Sequence, residues 1–196
     1  MIKVLEKRGS MSVQYEKRYF NVVEYYRMAE AGVLSPDDRV ELIEGEIVKM
    51  SPIGSRHAAC VRRLDAFLNR QASNLAQVSV QSPVRLNDFS EPEPNVALLK
   101  PRDDFYADSH PIPDDVLLII EVADSSVEYD RSIKLPLYAR SVIPQVLIVN
   151  MPSEVIESYA EPVNGAYQKF MRAQRSESVE IILLPNLSLS VDVVLG

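Results

Sequence analysis

"VLLIIEVADSSVEYDRSIKLPLYARSVIPQVLIVN", residues 116–150, decides the fold. The stretch opens on five consecutive apolar residues, Val116–Ile120, followed by Glu121, and closes on a second apolar run, "QVLIVN". Continuous apolar runs of this length suggest strands covered on both faces rather than strands half open to water. Between them "YDRSIKLPLYARS" reads as a helix, and strand, helix, strand in this order implies a right-handed crossover between parallel neighbours. Glu121 then stands near the carboxyl end of the most hydrophobic strand, the edge of an α/β sheet where ligands tend to bind. Lys134 lies on the crossover helix. With Asp130 or Ser132 as cap, and Pro136 best tolerated near a helix start, the sequence predicts Lys134 close to the helix N-terminal end, where free N–H groups suit a phosphate.

Upstream, "NVALL" (95–99) reads as a strand preceded by the Pro-rich loop "NDFSEPEP". Before it, "VSVQSPVRL" alternates Val78, Val80, Val84 and Leu86 with polar residues, the half-buried strand pattern. "SRHAACVRRLDAFLNRQA" (55–72) spaces Cys60, Val61, Leu64, Phe67 and Leu68 as one buried helical face, with Ser55 as its N-cap. Arg56, Arg63 and Arg70 share another face, better read as a solvated outer surface than as a phosphate-tracking stripe. "RVELIEGEIVKMS" gives two short strands around a tight Glu44-Gly45 turn. A helix is expected from Asn21, ended by Gly32 and Pro36. Downstream, "EVIESYAEPVNGAYQKF" is a hairpin turning at Asn164-Gly165, and "VEIILL" and "LSLSVDVV" read as two last strands.

The whole is one mixed α/β domain over residues 21–196, with an antiparallel periphery and a charged arm over residues 1–20. Its 196 residues suffice for a sizeable core, and 46% hydrophobic with 25% charged residues is the balance of a globular chain, which argues against disorder and fibres. A net charge of -7 disfavours non-specific attraction to nucleic acid, so any DNA site must be local. The single Cys60 excludes an internal disulfide and a Cys-rich metal cage. No apolar stretch reaches 18 residues, so no membrane span is expected, and a cytoplasmic location is the simplest reading. The late apolar strands offer an edge on which a homodimer could form, although such edges are as often covered within the monomer.

If the "NVALL" and "VLLIIEV" strands are neighbours, residue 95 and Glu121 face one pocket. A carboxylate pair there would hold Mg²⁺, and a nearby lysine could orient or deprotonate a water for attack on phosphorus. Position 95, however, is an asparagine.

Five segments in this order, "VELIEGEIVKMSPIGSRHAA", "SPVRLNDFSEPEPNVALL", "LLIIEVADSS", "YDRSIKLPLYAR" and "IPQVLIVN", resemble the Uma2 (Uma-two) family of restriction-endonuclease-like proteins, a branch of the PD-(D/E)xK nuclease superfamily. The resemblance implies a restriction-endonuclease-like mixed sheet flanked by helices, and Mg²⁺- or Mn²⁺-dependent cleavage of phosphodiester bonds in DNA. It makes Glu121 the acidic metal ligand, with the Val122 carbonyl as a further ligand. The superfamily's lysine usually follows that acid by two residues, a position held here by Ala123; in this branch the following helix supplies it, which makes Lys134 the match. Glu41 and Gly45 match the "ELIxGE" signature, Glu41 being the expected extra acid with Glu44 and Glu46 as competitors, and His57 matches the histidine that opens the next helix. The family's aspartate after proline is Asn95 here, a metal ligand without charge. The competing reading is a catalytically inactive nuclease fold serving as a DNA-binding or protein-interaction module. Read on residues alone, Glu41 could simply pair with Arg39, His57 could be a core histidine, and Tyr25, Tyr26 and Tyr138 are packing residues with one polar end.

Overall fold

The computed structural model describes residues 16–35, 37–72 and 74–196. Most of the charged arm and the helix-ending Pro36 therefore lie outside the described residues. Residues 16–20 run along the hairpin that follows: the Phe20 N–H donates to the Gly45 carbonyl at 2.9 Å. Helix α1 (Val22–Glu30) starts on a capping box, with the Asn21 side chain accepting from the Glu24 N–H and the Glu24 carboxylate accepting from the Asn21 N–H. Strands β1 (Val40–Ile43) and β2 (Glu46–Lys49) form the expected hairpin. Glu44 and Gly45 between them both have positive φ, as a two-residue turn of matching twist requires.

Helix α2 (Ser55–Ala72) buries Cys60, Val61, Leu64 and Leu68. Ser55 is its first helical residue rather than the expected cap; the first ladder bond runs from the Ala58 N–H to the Gly54 carbonyl. Strand β3 spans only Gln77–Val80, shorter than the alternation through Leu86 suggests. Gln81 takes a left-handed φ of 47° and Pro83 follows, so the ladder stops, while Val84 and Leu86 stay buried from a loop. Strands β4 (Val96–Leu99) and β5 (Val116–Ala123) come next.

The crossover is helical in three pieces: α3 (Val127–Tyr129), a π-helical turn (Asp130–Lys134) and α4 (Leu135–Arg140). Proline has no N–H to donate, and its ring crowds the carbonyl four residues back, so an ordinary ladder cannot pass Pro136 undisturbed. The chain widens instead, with the Leu135 N–H donating to the Asp130 carbonyl five residues back. Lys134 consequently sits in the middle of the crossover, not near its N-terminal end, and Pro136 marks an interior irregularity rather than a start.

Strands β6 (Gln145–Asn150), β7 (Val155–Val163) and β8 (Ala166–Ala173) complete a six-stranded sheet of order β3-β4-β5-β6-β7-β8. Its β5–β6 pair is parallel and the others antiparallel. The β7–β8 turn falls at Asn164-Gly165 as expected. Strands β9 (Ser178–Glu180) and β10 (Ser188–Ser190) form a second small hairpin. The end of "LSLSVDVV" is not strand but helix α5 (Val191–Leu195): Val191 and Val194, three apart, are both buried, a helical spacing hidden inside a β-branched run.

Alternation along β5 sorts the core into two layers. Leu118, Ile120 and Val122 pack with Cys60, Leu64 and Leu68 of α2, while Ile119 and Ala123 pack with Leu137 and Tyr138 of α4. Burying side chains of this size stabilises the fold by roughly 1.5–3 kcal/mol each. Glu121 belongs to the second set, so its carboxylate is aimed at the crossover helices. Among the described residues no helix is long and apolar enough to cross a membrane.

Candidate active site

The β4–β5 ladder ends at the pair Val96↔Ile120, and one step further out Asn95 lies beside Glu121. Side chains take over the pairing there. The Val122 N–H donates to Asn95 Oδ1 at 2.7 Å, and the Asn95 N–H approaches Glu121 Oε2 at 3.4 Å. Lys134 Nζ, delivered by the π-helical turn, lies 3.3 Å from Glu121 Oε1 and 3.0 Å from Glu41 Oε2 on β1. The Glu93 N–H also donates to Glu41 Oε2, at 3.1 Å, and the Tyr138 hydroxyl donates to Glu121 Oε1 at 2.6 Å. Glu41, Glu121 and Lys134 are exposed by only 2%, 3% and 6%. Around them opens a cleft of about 310 Å³, lined also by Arg39, Lys49, His57, Glu93, Asn95, Val122, Tyr129 and Asp130.

Burial sets the protonation states. It pushes the Glu121 carboxyl up to about 7, against the pull of Lys134. Asp130, beside the same lysine, is also raised by burial. For Lys134 burial alone favours the neutral amine, but the charges of Glu121, Glu41 and Asp130 outweigh it and hold the amine above its ordinary value. It is an ammonium throughout the neutral range. Burial lowers His57, which Asn95 and the Val122 backbone only partly offset, so a neutral imidazole faces the cleft.

Glu41, His57, Asn95, Glu121, Val122 and Lys134, scattered through the sequence, all line this cleft. The competitors of Glu41 do not: Glu44 pairs with Arg140 at 2.6 Å and Glu46 with Lys17 at 2.8 Å, all exposed. Arg39 donates to the Ser51 carbonyl and leaves Glu41 to Lys134. Arg63 holds the C-terminal carbonyls of Val194 and Leu195, and Arg70 donates to the Ala66 carbonyl within its own helix, as an outer face would. Sequence reasoning missed Asp130, Tyr129 and the polar role of Tyr138. The four-residue steps 130, 134 and 138 were the available signal, since they put an acid, a base and a phenol on one helical face.

The model of a family described as putative restriction endonucleases matches residues 22–192. The chain belongs to the Uma2 family. A crystal structure described as a putative nuclease, from Anabaena variabilis, superposes with a TM-score of 0.66 at 14% identity, covering 86% of this chain and 96% of that one. At that identity the likeness shows the nuclease-like fold. No curated protein matches the chain. Uma2 is thus a restriction-endonuclease-like family, of a kind that generally uses divalent metals.

Whether this cleft suits such an ion is a matter of donor chemistry. Its donors are hard oxygens: the carboxylates of Glu41 and Glu121, the Asn95 amide oxygen and the Val122 carbonyl. Among the described residues no three His, Cys, Asp or Glu side chains are grouped so as to cage a metal. Mg²⁺ does not demand that, because it is commonly held by one or two carboxylates together with substrate phosphates and water. On those terms the residues fit, with less charge than an aspartate at 95 would give.

Proposed function

We propose that this protein is an endonuclease that hydrolyses phosphodiester bonds in DNA with a divalent cation, at a site weakened by Asn95. The observation that carries the reading is the buried Lys134 ammonium shared by Glu41 and Glu121, from three distant parts of the chain, beside Asn95 in one open cleft. Glu121, Glu41, the Asn95 oxygen and the Val122 carbonyl would hold Mg²⁺ or Mn²⁺. Bound there, the ion supplies Lewis-acid stabilisation of charge on the phosphoryl group.

The chain's own residues do the rest. Lys134, held as an ammonium by Glu121 and Glu41, offers a positive charge to a phosphate oxygen. Tyr138 fixes the rotamer of Glu121 through a short hydrogen bond. His57 lines the cleft as a neutral imidazole, the group suited to accept a proton from the attacking water. A cytoplasmic location, with access to DNA, belongs to this reading, as does the possibility of pairing two copies to address two strands.

Asn95 favours a second reading, a silent relative that binds DNA without cutting it. An amide brings no negative charge, and its oxygen already accepts from the Val122 N–H. The test compares wild type, Asn95→Asp and Lys134→Ala on supercoiled plasmid with Mg²⁺ or Mn²⁺. Slow nicking by wild type, a gain on the order of a hundred- to thousandfold in Asn95→Asp, and loss in Lys134→Ala are expected. Nicking by Asn95→Asp alone would establish the silent relative, and activity in neither would end both readings.

A further inference from the structure

Buried polar atoms are almost always hydrogen-bonded, so the exceptions mark places where a partner is missing. Among the described residues three buried side-chain atoms have none: His57 Nδ1, Gln77 Oε1 and the Tyr129 hydroxyl. His57 and Tyr129 line the same cleft, from the first turn of α2 and the last residue of α3. Two of the three unpaired atoms thus belong to residues that line one cleft, which points to a ligand that completes them there.

Tyr129 is the more informative of the two. It immediately precedes the π-helical turn that carries Asp130 and Lys134 inward, so it enters the cleft beside them. Burial, then the nearby Glu41 charge, push its phenol up to about 12, which keeps the hydroxyl a proton donor at neutral pH. A donor in this place wants an anionic oxygen, and the ligand of the proposed function brings several.

We propose that the Tyr129 hydroxyl is a substrate-contacting group that donates a hydrogen bond to a phosphate oxygen of the DNA strand bound in the cleft beside Lys134. The inference rests on the DNA-cleft reading and adds to it a residue that the family resemblance, though its segment includes Tyr129, gives no role.

Tyr129→Phe removes the hydroxyl and nothing else. Because that oxygen has no partner among the described residues, the thermal unfolding midpoint should not fall. Binding of a short fluorescein-labelled duplex, followed by anisotropy in Ca²⁺, should weaken about ten- to hundredfold, the range of a hydrogen bond to a charged group. Tyr129→Trp, which restores a donor on an aromatic ring, should recover part of the loss. If wild type binds the duplex and Tyr129→Phe binds it equally well, this proposal falls and the DNA reading stands. A lowered unfolding midpoint in Tyr129→Phe would make the hydroxyl structural and overturn the proposal as well. If wild type itself fails to bind the duplex, the cleft reading falls and takes this one with it.

Discussion

Lys134 is a cation almost out of water, and two carboxylates hold it there. Removing one partner of such a buried cluster leaves charge uncompensated. Lys134→Met should therefore destabilise the protein by about 3–5 kcal/mol, read as a lower urea midpoint at pH 7. A loss below about 1 kcal/mol would mean that the cluster is open to solvent. Glu121 gives a pH prediction whose sign is fixed. Its folded pKa of about 7 lies above the ordinary value of 4.5, so between these values the folded state binds more protons than the unfolded one. Its contribution to stability is present below about 4.5 and is lost as pH rises through about 7. Measured in EDTA, wild type should lose stability relative to Glu121→Gln across that window; a parallel pair of profiles would contradict the burial. At this scale what was legible in the sequence is that Glu121 and Lys134, thirteen residues apart, would meet in one cleft. The sequence was silent on Tyr138, because a tyrosine among Leu137, Ala139 and Arg140 looks like packing until the strand behind it supplies an acceptor.

Among the elements, the β1–β2 hairpin carries Glu41, and Gly45 is where it is pinned. Its φ of +80° suits glycine, and a Cβ there would come within 2.6 Å of Tyr19 Cβ. The neighbouring chain on both sides is tied to it: the Gly45 N–H donates to the Phe89 carbonyl, and its own carbonyl accepts from the Phe20 N–H. Gly45→Ala should cost roughly 1–3 kcal/mol through the strained φ alone and lower nicking by displacing Glu41. Circular dichroism melting and the plasmid assay check it together; an unaffected melt would show that the hairpin tolerates a side chain. Elements with a single strong period were legible, as α2 and β5 were. Those misread from sequence had their local signal overruled. Gln81 left the extended region and cut β3 short, Pro136 was absorbed by a π turn instead of starting a helix, and the valines of α5 carried strand preference into a helix held by burial of Val191 and Val194.

At the scale of the whole molecule, charge opposes the proposed substrate. The protein carries -7, and a polyanionic duplex approaches it without long-range attraction. Among the described residues that line the cleft, Arg39, Lys49 and Lys134 are the cationic side chains, while Glu41, Glu93, Glu121, Asp124 and Asp130 line it too. A divalent cation therefore has a task before any chemistry, since without it phosphate meets carboxylates. Duplex binding should depend on Mg²⁺, Mn²⁺ or Ca²⁺ and vanish in EDTA. With at most three cationic contacts to phosphate, log Kd should change with log salt with a slope of roughly 3 or less, because each neutralised phosphate contributes about 0.9. Anisotropy titrations over a salt series, with and without EDTA, measure both. Tight binding that persists in EDTA and weakens with a slope of roughly 6 or more would require more cations than the cleft has, and would move the DNA to the exposed arginine face of α2.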